Sequence, residues 1–94
     1  MTQNDDNRMA LRVIGKVQGV GFRWFVQTEA ERLGLKGWVR NTPDGHVELE
    51  AVGPVPALEE LRRRVETGPP AARVASVIEL PASSEEFVGF SVRR

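Results

Sequence analysis

"MALRVIGKVQGVGFR", residues 9–23, leads from an apolar run through a glycine-rich stretch to a single arginine. The first part, Met9–Val17, is rich in β-branched side chains, which predicts a strand. Glycines at positions 15, 19 and 21 follow one another closely, and this spacing indicates a backbone that bends sharply or approaches another group. The stretch therefore predicts a strand, a glycine loop and the start of a helix.

Two later segments have the spacing of amphipathic helices. After the loop, apolar residues recur every three or four positions, which predicts a helix over Phe22–Leu33. A second helix is expected to open at Pro54 and Pro56, where a missing N–H is tolerated, and to end at Gly68. The predicted buried stripe of this second helix consists of Leu58, Leu61 and Val65.

The remaining segments predict strands. "LKGWVRN" and "HVELEAVG" flank "TPDG", a sequence typical of a hairpin turn. In the second run, apolar residues alternate with Glu48 and Glu50, which predicts one buried and one solvent-facing side. "RVASVIEL" (73–80) and "EFVGFSV" (86–92) predict two closing strands. The order of these elements, which begins βαββαβ, predicts a ferredoxin-like α+β fold, with two helices on one face of a mainly antiparallel sheet.

Composition limits the classes of protein and site. The chain has 94 residues, no cysteine, and 13 basic against 13 acidic side chains. This length fits one domain, and the absence of cysteine excludes disulfides and thiolate metal sites. The balanced charge disfavours general attraction to nucleic acid or anionic membranes. No apolar run reaches the ~20 residues that cross a bilayer.

The N-terminus, "MTQNDDNR", is polar and acidic, unlike a secretory signal. We therefore expect a cytoplasmic protein. A monomer is expected because the sequence shows no obvious extra apolar surface, and no cofactor is expected. Residues 1–8 are predicted to be a disordered tail, and residues 9–94 the folded domain.

The glycine loop has the features of an anion site. A strand–loop–helix junction directs backbone N–H groups and the positive end of the helix dipole toward one point, which favours an anion. Arg23 adds a planar guanidinium that can bind a phosphate or carboxylate in two places. The stretch does not end in the Gly-Lys-Ser/Thr that a Walker loop requires. Its Gly-x-Gly is followed by Phe22-Arg23, so it does not complete a dinucleotide-binding fingerprint either. From the residues alone, a glycine-rich turn with a surface arginine remains the alternative.

A second informative stretch is "GWVRNTPDGHVE", residues 37–48, in which Asn41 ends the predicted strand. An asparagine there can form the turn by bonding its own backbone. It can also offer an uncharged amide that orients a water or a phosphoryl oxygen. Its spacing alone does not select between the two.

Together, "GKVQGVGFR" and "GWVRNTPDGHVE", separated by one helix, resemble the acylphosphatase family. The resemblance extends over about Met9–Val92 and includes the closing Phe-x-Val at Phe90 to Val92. It implies hydrolysis of the carboxyl–phosphate bond of acyl phosphates without a metal. It assigns positioning of the attacking water to Asn41. It assigns phosphate binding to Arg23 and to the loop amides of Gln18, Gly19, Val20, Gly21 and Phe22.

This assignment agrees with the chemistry of the substrate. An acyl phosphate has a carboxylate leaving group of low pKa, so little general acid catalysis is needed. The remaining tasks are to position a water in line and to neutralise charge on the phosphoryl oxygens. The resemblance implies that the substrate's own phosphate oxygen is the general base. We also expect inorganic phosphate or sulfate to compete for the site.

Other polar and aromatic positions have structural interpretations. His46, the single histidine, is expected to be a solvated strand residue, because one histidine without carboxylate partners forms no metal cluster. Arg62–Arg64 follow two glutamates at a spacing that favours ion pairs on a helix surface. Trp24 and Trp38 are predicted to be packing residues or to lie at the rim of the site.

Two other function classes are alternatives, and the first of them shares this topology. An RNA-binding module would stack bases on aromatic residues of the central strands. Here "LRVIGK" has no aromatic residue, and Glu48 and Glu50 would repel phosphates. A regulatory domain that senses a small anion would keep Arg23 and the loop but would give Asn41 no catalytic task. Turnover of an acyl phosphate in the presence of a chelator separates an enzyme from such a sensor.

Overall fold

Residues 7–94, which the computed structural model describes, form five β-strands and two α-helices. In chain order the elements are β1 (Asn7–Lys16), α1 (Phe22–Arg32), β2 (Lys36–Asn41), β3 (Val47–Gly53), α2 (Val55–Thr67), β4 (Arg73–Leu80) and β5 (Phe90–Arg93). Both helices begin as the sequence predicts, and β4 has the predicted bounds.

The five strands form one sheet in the order β4-β1-β3-β2-β5. Three of the four pairings are antiparallel, and β5 runs parallel to β2, with Val92 beside Val39. Both helices pack on the same side of the sheet, α1 over β2 and β5 and α2 over β1, β3 and β4. The predicted ferredoxin-like α+β fold is confirmed.

The core lies between the helices and the sheet. α1 buries Phe22, Val26 and Ala30, and α2 buries the predicted stripe of Leu58, Leu61 and Val65. The sheet contributes alternate residues, as expected for strands with one face on a core: Leu11 and Val13 of β1, Val39 of β2, and Val47, Leu49 and Ala51 of β3.

The prediction that β3 has a solvent-facing side is wrong, because both of its glutamates are buried. Glu48 is 7% exposed and accepts hydrogen bonds from Arg12 Nε at 2.9 Å and from Arg40 Nη2 at 2.8 Å. Burial alone would raise the pKa of Glu48, but the bonds from the two arginines outweigh it and lower the pKa. β3 is the central strand, so arginines from both neighbouring strands cover this carboxylate.

The second glutamate, Glu50, is covered by the segment between β4 and β5. Glu50 is 3% exposed, and its carboxylate accepts a hydrogen bond from the backbone N–H of Ser83 at 2.8 Å. Arg8 Nη1 donates to the same carboxylate at 3.3 Å. Residues 81–89 therefore cross the open face of the sheet, and the last strand is shorter than the predicted 86–92.

The first strand begins earlier than predicted. Asn7 and Arg8, predicted to belong to the tail, pair with Gly53 and Val52 of β3. Residues 1–6 of the predicted tail lie outside the described residues. The ion pair that Arg8 forms with Glu50 gives the physical reason for the longer strand.

Candidate active site

A pocket of about 400 Å³ lies where the start of α1 meets the ends of β2 and β5. Arg23 and Asn41, which are 18 positions apart in the chain, both line it. The fold brings them together because α1 packs over β2. The lining residues are Val17, Gly19, Gly21, Phe22, Arg23, Trp24, Gln27, Asn41, Val92 and Arg94.

The glycine loop leads into α1, and two of its glycines have the left-handed backbone conformation. Gly19 has φ +75° and Gly21 has φ +77°, a backbone conformation that residues other than glycine rarely adopt. Among the residues that the structure describes, no side chain caps the start of α1. Within residues 7–94, the backbone N–H groups of residues 19–22 donate to no backbone carbonyl. These amides and the positive end of the helix dipole lie at the pocket, an arrangement suited to an anion.

Arg23 lies in the first turn of α1 and is half-buried. Most other arginines form salt bridges, but Arg23 has no ionic partner among the residues that the structure describes. Its guanidinium is therefore a positive group at the pocket, and no carboxylate of residues 7–94 neutralises it.

Asn41 is the last residue of β2 and is half-buried. The adjoining turn is closed by Thr42, whose N–H donates to the His46 carbonyl at 2.9 Å and whose Oγ1 accepts from the His46 N–H at 3.1 Å. The Thr42 hydroxyl also donates to the Asp44 carboxylate and lowers the pKa of that group. The Asn41 side chain forms no hydrogen bond within the described part of the chain, so the turn does not depend on it.

Gln18 and Val20 do not line the pocket. Gln18 Nε2 donates to the carbonyls of Thr42 and His46, each at 2.8 Å, and so ties the glycine loop to the hairpin next to Asn41. Val20 is half-buried and packs against the core. The other predicted site residues, Gly19, Gly21, Phe22, Arg23 and Asn41, all line the pocket.

The sequence did not predict four of the lining residues: Val17, Gln27, Val92 and Arg94. Gln27 lies one turn after Arg23, a spacing that could have indicated it, and its Nε2 donates to the Phe90 carbonyl at 3.1 Å. Val92 and Arg94 line the pocket because β5 pairs with β2, a contact between distant segments that no local pattern predicts. Trp24 was predicted either to pack in the fold or to lie at the rim of the site; it is exposed and lines the pocket, which fits the rim.

The other candidate positions lie elsewhere. His46 is half-buried and its Nδ1 is buried without a partner among the described residues, so its prediction as a solvated residue is wrong. The Arg64 Nε–Glu60 Oε2 pair, at 2.8 Å, confirms the predicted ion pairing on α2. Within residues 7–94, no group of three His, Cys, Asp or Glu residues could hold a metal, and no helix has the length and apolarity to cross a membrane.

Comparison with known proteins identifies the family. The acylphosphatase family model matches residues 9–92, and the acylphosphatase of Salinibacter ruber is 47% identical over 95 residues that cover 100% of both chains. The chain belongs to the acylphosphatase family. The acylphosphatase structure from Coxiella burnetii has a TM-score of 0.91 at 40% identity and covers 99% of this chain and 100% of its own. That from Bacillus subtilis has a TM-score of 0.87 at 41% identity and covers 93% and 98%. The predicted family, fold and enzyme class are confirmed.

Proposed function

We propose that the chain hydrolyses the carboxyl–phosphate bond of small acyl phosphates, giving a carboxylate and inorganic phosphate, without a metal. The observation that supports this is the meeting of Gly19, Gly21, Arg23 and Asn41 in one pocket. Three kinds of group are available there: backbone N–H donors, a guanidinium without an ionic partner among the described residues, and an uncharged amide.

In the proposed mechanism, the loop amides of Gly19, Gly21 and Phe22, which line the pocket, and the Arg23 guanidinium bind the phosphoryl oxygens. These donors are fixed before the substrate arrives, so they stabilise developing charge without reorganising during the reaction. The Asn41 amide orients the attacking water in line with the bond that breaks. The carboxylate leaves without a general acid, because its pKa is low.

Gln18 supports this division of tasks through its side chain. Its two hydrogen bonds to the carbonyls of Thr42 and His46 hold the loop at a fixed distance from the end of β2. These bonds fix the position of the phosphate site relative to Asn41. A small displacement between the two would lower the rate of hydrolysis.

The direct test is hydrolysis of acetyl phosphate by the purified protein in excess EDTA. We expect full turnover in EDTA and competitive inhibition by inorganic phosphate or sulfate. Loss of turnover on chelation, restored by magnesium, would contradict metal independence. Binding of phosphate without any turnover would favour the anion-sensing domain instead. A monomeric state and a cytoplasmic location remain predictions, which light scattering and cell fractionation would test.

A further inference from the structure

The pocket has an apolar wall that phosphate binding does not use. Trp24 is 70% exposed and Val92 is 40% exposed, and both line the pocket with Arg23 and Asn41. Trp24 is contributed by α1 and Val92 by β5, so two separate elements present apolar surface to one space. Tryptophan is highly buried on average, and an indole left this exposed has a large apolar area for a ligand to cover.

Exposed apolar side chains elsewhere on the molecule are isolated from this space. In the described part of the chain, the other large ones are Val55, Ile78 and Val88, and none of them lines the pocket. Single apolar residues on a surface need no explanation. Trp24 and Val92 differ from these residues because both line the same pocket as Arg23. Ligand binding would explain this position.

The two ends of an acyl phosphate require different surroundings. Its phosphate needs N–H donors and positive charge, which the glycine loop and Arg23 offer. Its acyl carbon group gains from apolar contact, at roughly 25 cal/mol for each Å² removed from water. A pocket of about 400 Å³ has room for more than a phosphate ion. The apolar wall therefore suits the acyl group.

We propose that Trp24 and Val92 form the subsite for the acyl group, and that this subsite favours aromatic acyl groups over acetyl. The inference rests on the proposed function, because it places the phosphate at the loop. A planar ring can stack on the exposed indole, whereas a methyl group covers little of it. The contact is made before and during the reaction alike, so it lowers KM more than it raises kcat.

The test compares kcat/KM for benzoyl phosphate with kcat/KM for acetyl phosphate. In Trp24→Ala we expect this ratio to fall about two- to tenfold, mostly through a higher KM for benzoyl phosphate. Trp24→Phe, which keeps an aromatic face, should retain most of the preference. Ile78→Ala is the matched control, because Ile78 is 45% exposed but lies outside the pocket, and its ratio should equal that of the parent.

A second measurement separates this inference from the proposed function. Phenacylphosphonate and acetonylphosphonate keep the two acyl groups but replace the bridging oxygen with a methylene, so they bind without being hydrolysed. The ratio of their dissociation constants should shift in Trp24→Ala as the kcat/KM ratio does. This arm tests the subsite even if the parent hydrolyses neither acyl phosphate, a result that would overturn the proposed function alone.

Two outcomes would overturn the subsite. An unchanged preference in Trp24→Ala would mean that the indole is only a surface residue. An equal loss for both substrates and for inorganic phosphate would mean that Trp24 acts on the phosphate site through the start of α1.

Discussion

At the scale of single residues, Arg23 and Asn41 offer different chemistry to the same pocket. In the proposed mechanism, the guanidinium attracts the phosphate at every stage of the reaction, so it contributes to binding as well as to the transition state. An amide that orients water contributes mainly when the water attacks. Substitutions at the two positions should therefore have different kinetic signatures.

Asn41→Ala should lower kcat for acetyl phosphate by about 100-fold or more, the usual cost of losing one preorganised polar contact. Its affinity for inorganic phosphate should stay within a few-fold of the parent, because Arg23 and the loop remain. Asn41→Asp should not restore activity, since a carboxylate would repel the phosphoryl group. Steady-state kinetics, phosphate titration and thermal melting on the same protein check this. A destabilised Asn41→Ala protein with near-normal kcat would show that Asn41 is only a turn residue.

At the scale of elements, the junction between β1 and α1 depends on backbone conformation. Gly19 and Gly21 have positive φ, but a Cβ at either would meet no atom within 4 Å in the described structure. Alanine is therefore disfavoured at these positions by conformational strain rather than by a clash with the protein. A Cβ in this open space would, however, lie where we propose that phosphate binds.

Gly19→Ala should lower the free energy of unfolding by about 1–2 kcal/mol, the cost of a left-handed L-residue. It should also reduce the increase in melting temperature that inorganic phosphate produces, because a ligand that binds the native state more weakly stabilises it less. Gly89→Ala is the matched control, because Gly89 has φ +68°, open space around it and a position outside the pocket. We expect this control to lose similar stability but keep full phosphate protection. Equal protection in both variants would show that the loop is a simple turn.

At the scale of the whole molecule, the local patterns predicted most of the fold. The 3.6-residue spacing identified both helices and the α2 stripe, because one helix face must be buried. Alternation in β3 identified a strand but not the surroundings of Glu48, whose two arginine partners come from neighbouring strands. Arg94 and Val92 were missed for the same reason, since only the parallel pairing of β5 with β2 brings them to the pocket. Local sequence patterns do not predict contacts between distant segments of the chain.

The buried Glu48 carboxylate makes stability depend on pH in a defined direction. Its folded-state pKa lies below the ordinary value of 4.5, so its ion pairs stabilise the protein above that pH. This contribution is lost as the pH falls through the lower folded-state pKa. Glu48→Gln should therefore lower the free energy of unfolding by about 1–2 kcal/mol at pH 7 and by much less in acid.

Urea unfolding of the parent and of Glu48→Gln across this pH range measures the difference. Glu66→Gln is the control, because the Glu66 side chain is 49% exposed in its pair with Arg62 and should contribute little. A Glu48→Gln deficit that is the same at pH 7 and well below pH 4.5 would contradict the ionic origin of the effect.

The proposed role of Arg23 is to bind the phosphate of an acyl phosphate that this pocket hydrolyses. Its most direct test is kcat/KM for acetyl phosphate, in EDTA, for the parent, Arg23→Gln and Arg73→Gln. Arg73 also lacks an ionic partner among residues 7–94, but it lies outside the pocket. We predict that Arg23→Gln loses nearly all activity while melting close to the parent, and that Arg73→Gln keeps full activity. Substantial hydrolysis by a folded Arg23→Gln protein would contradict this role of Arg23.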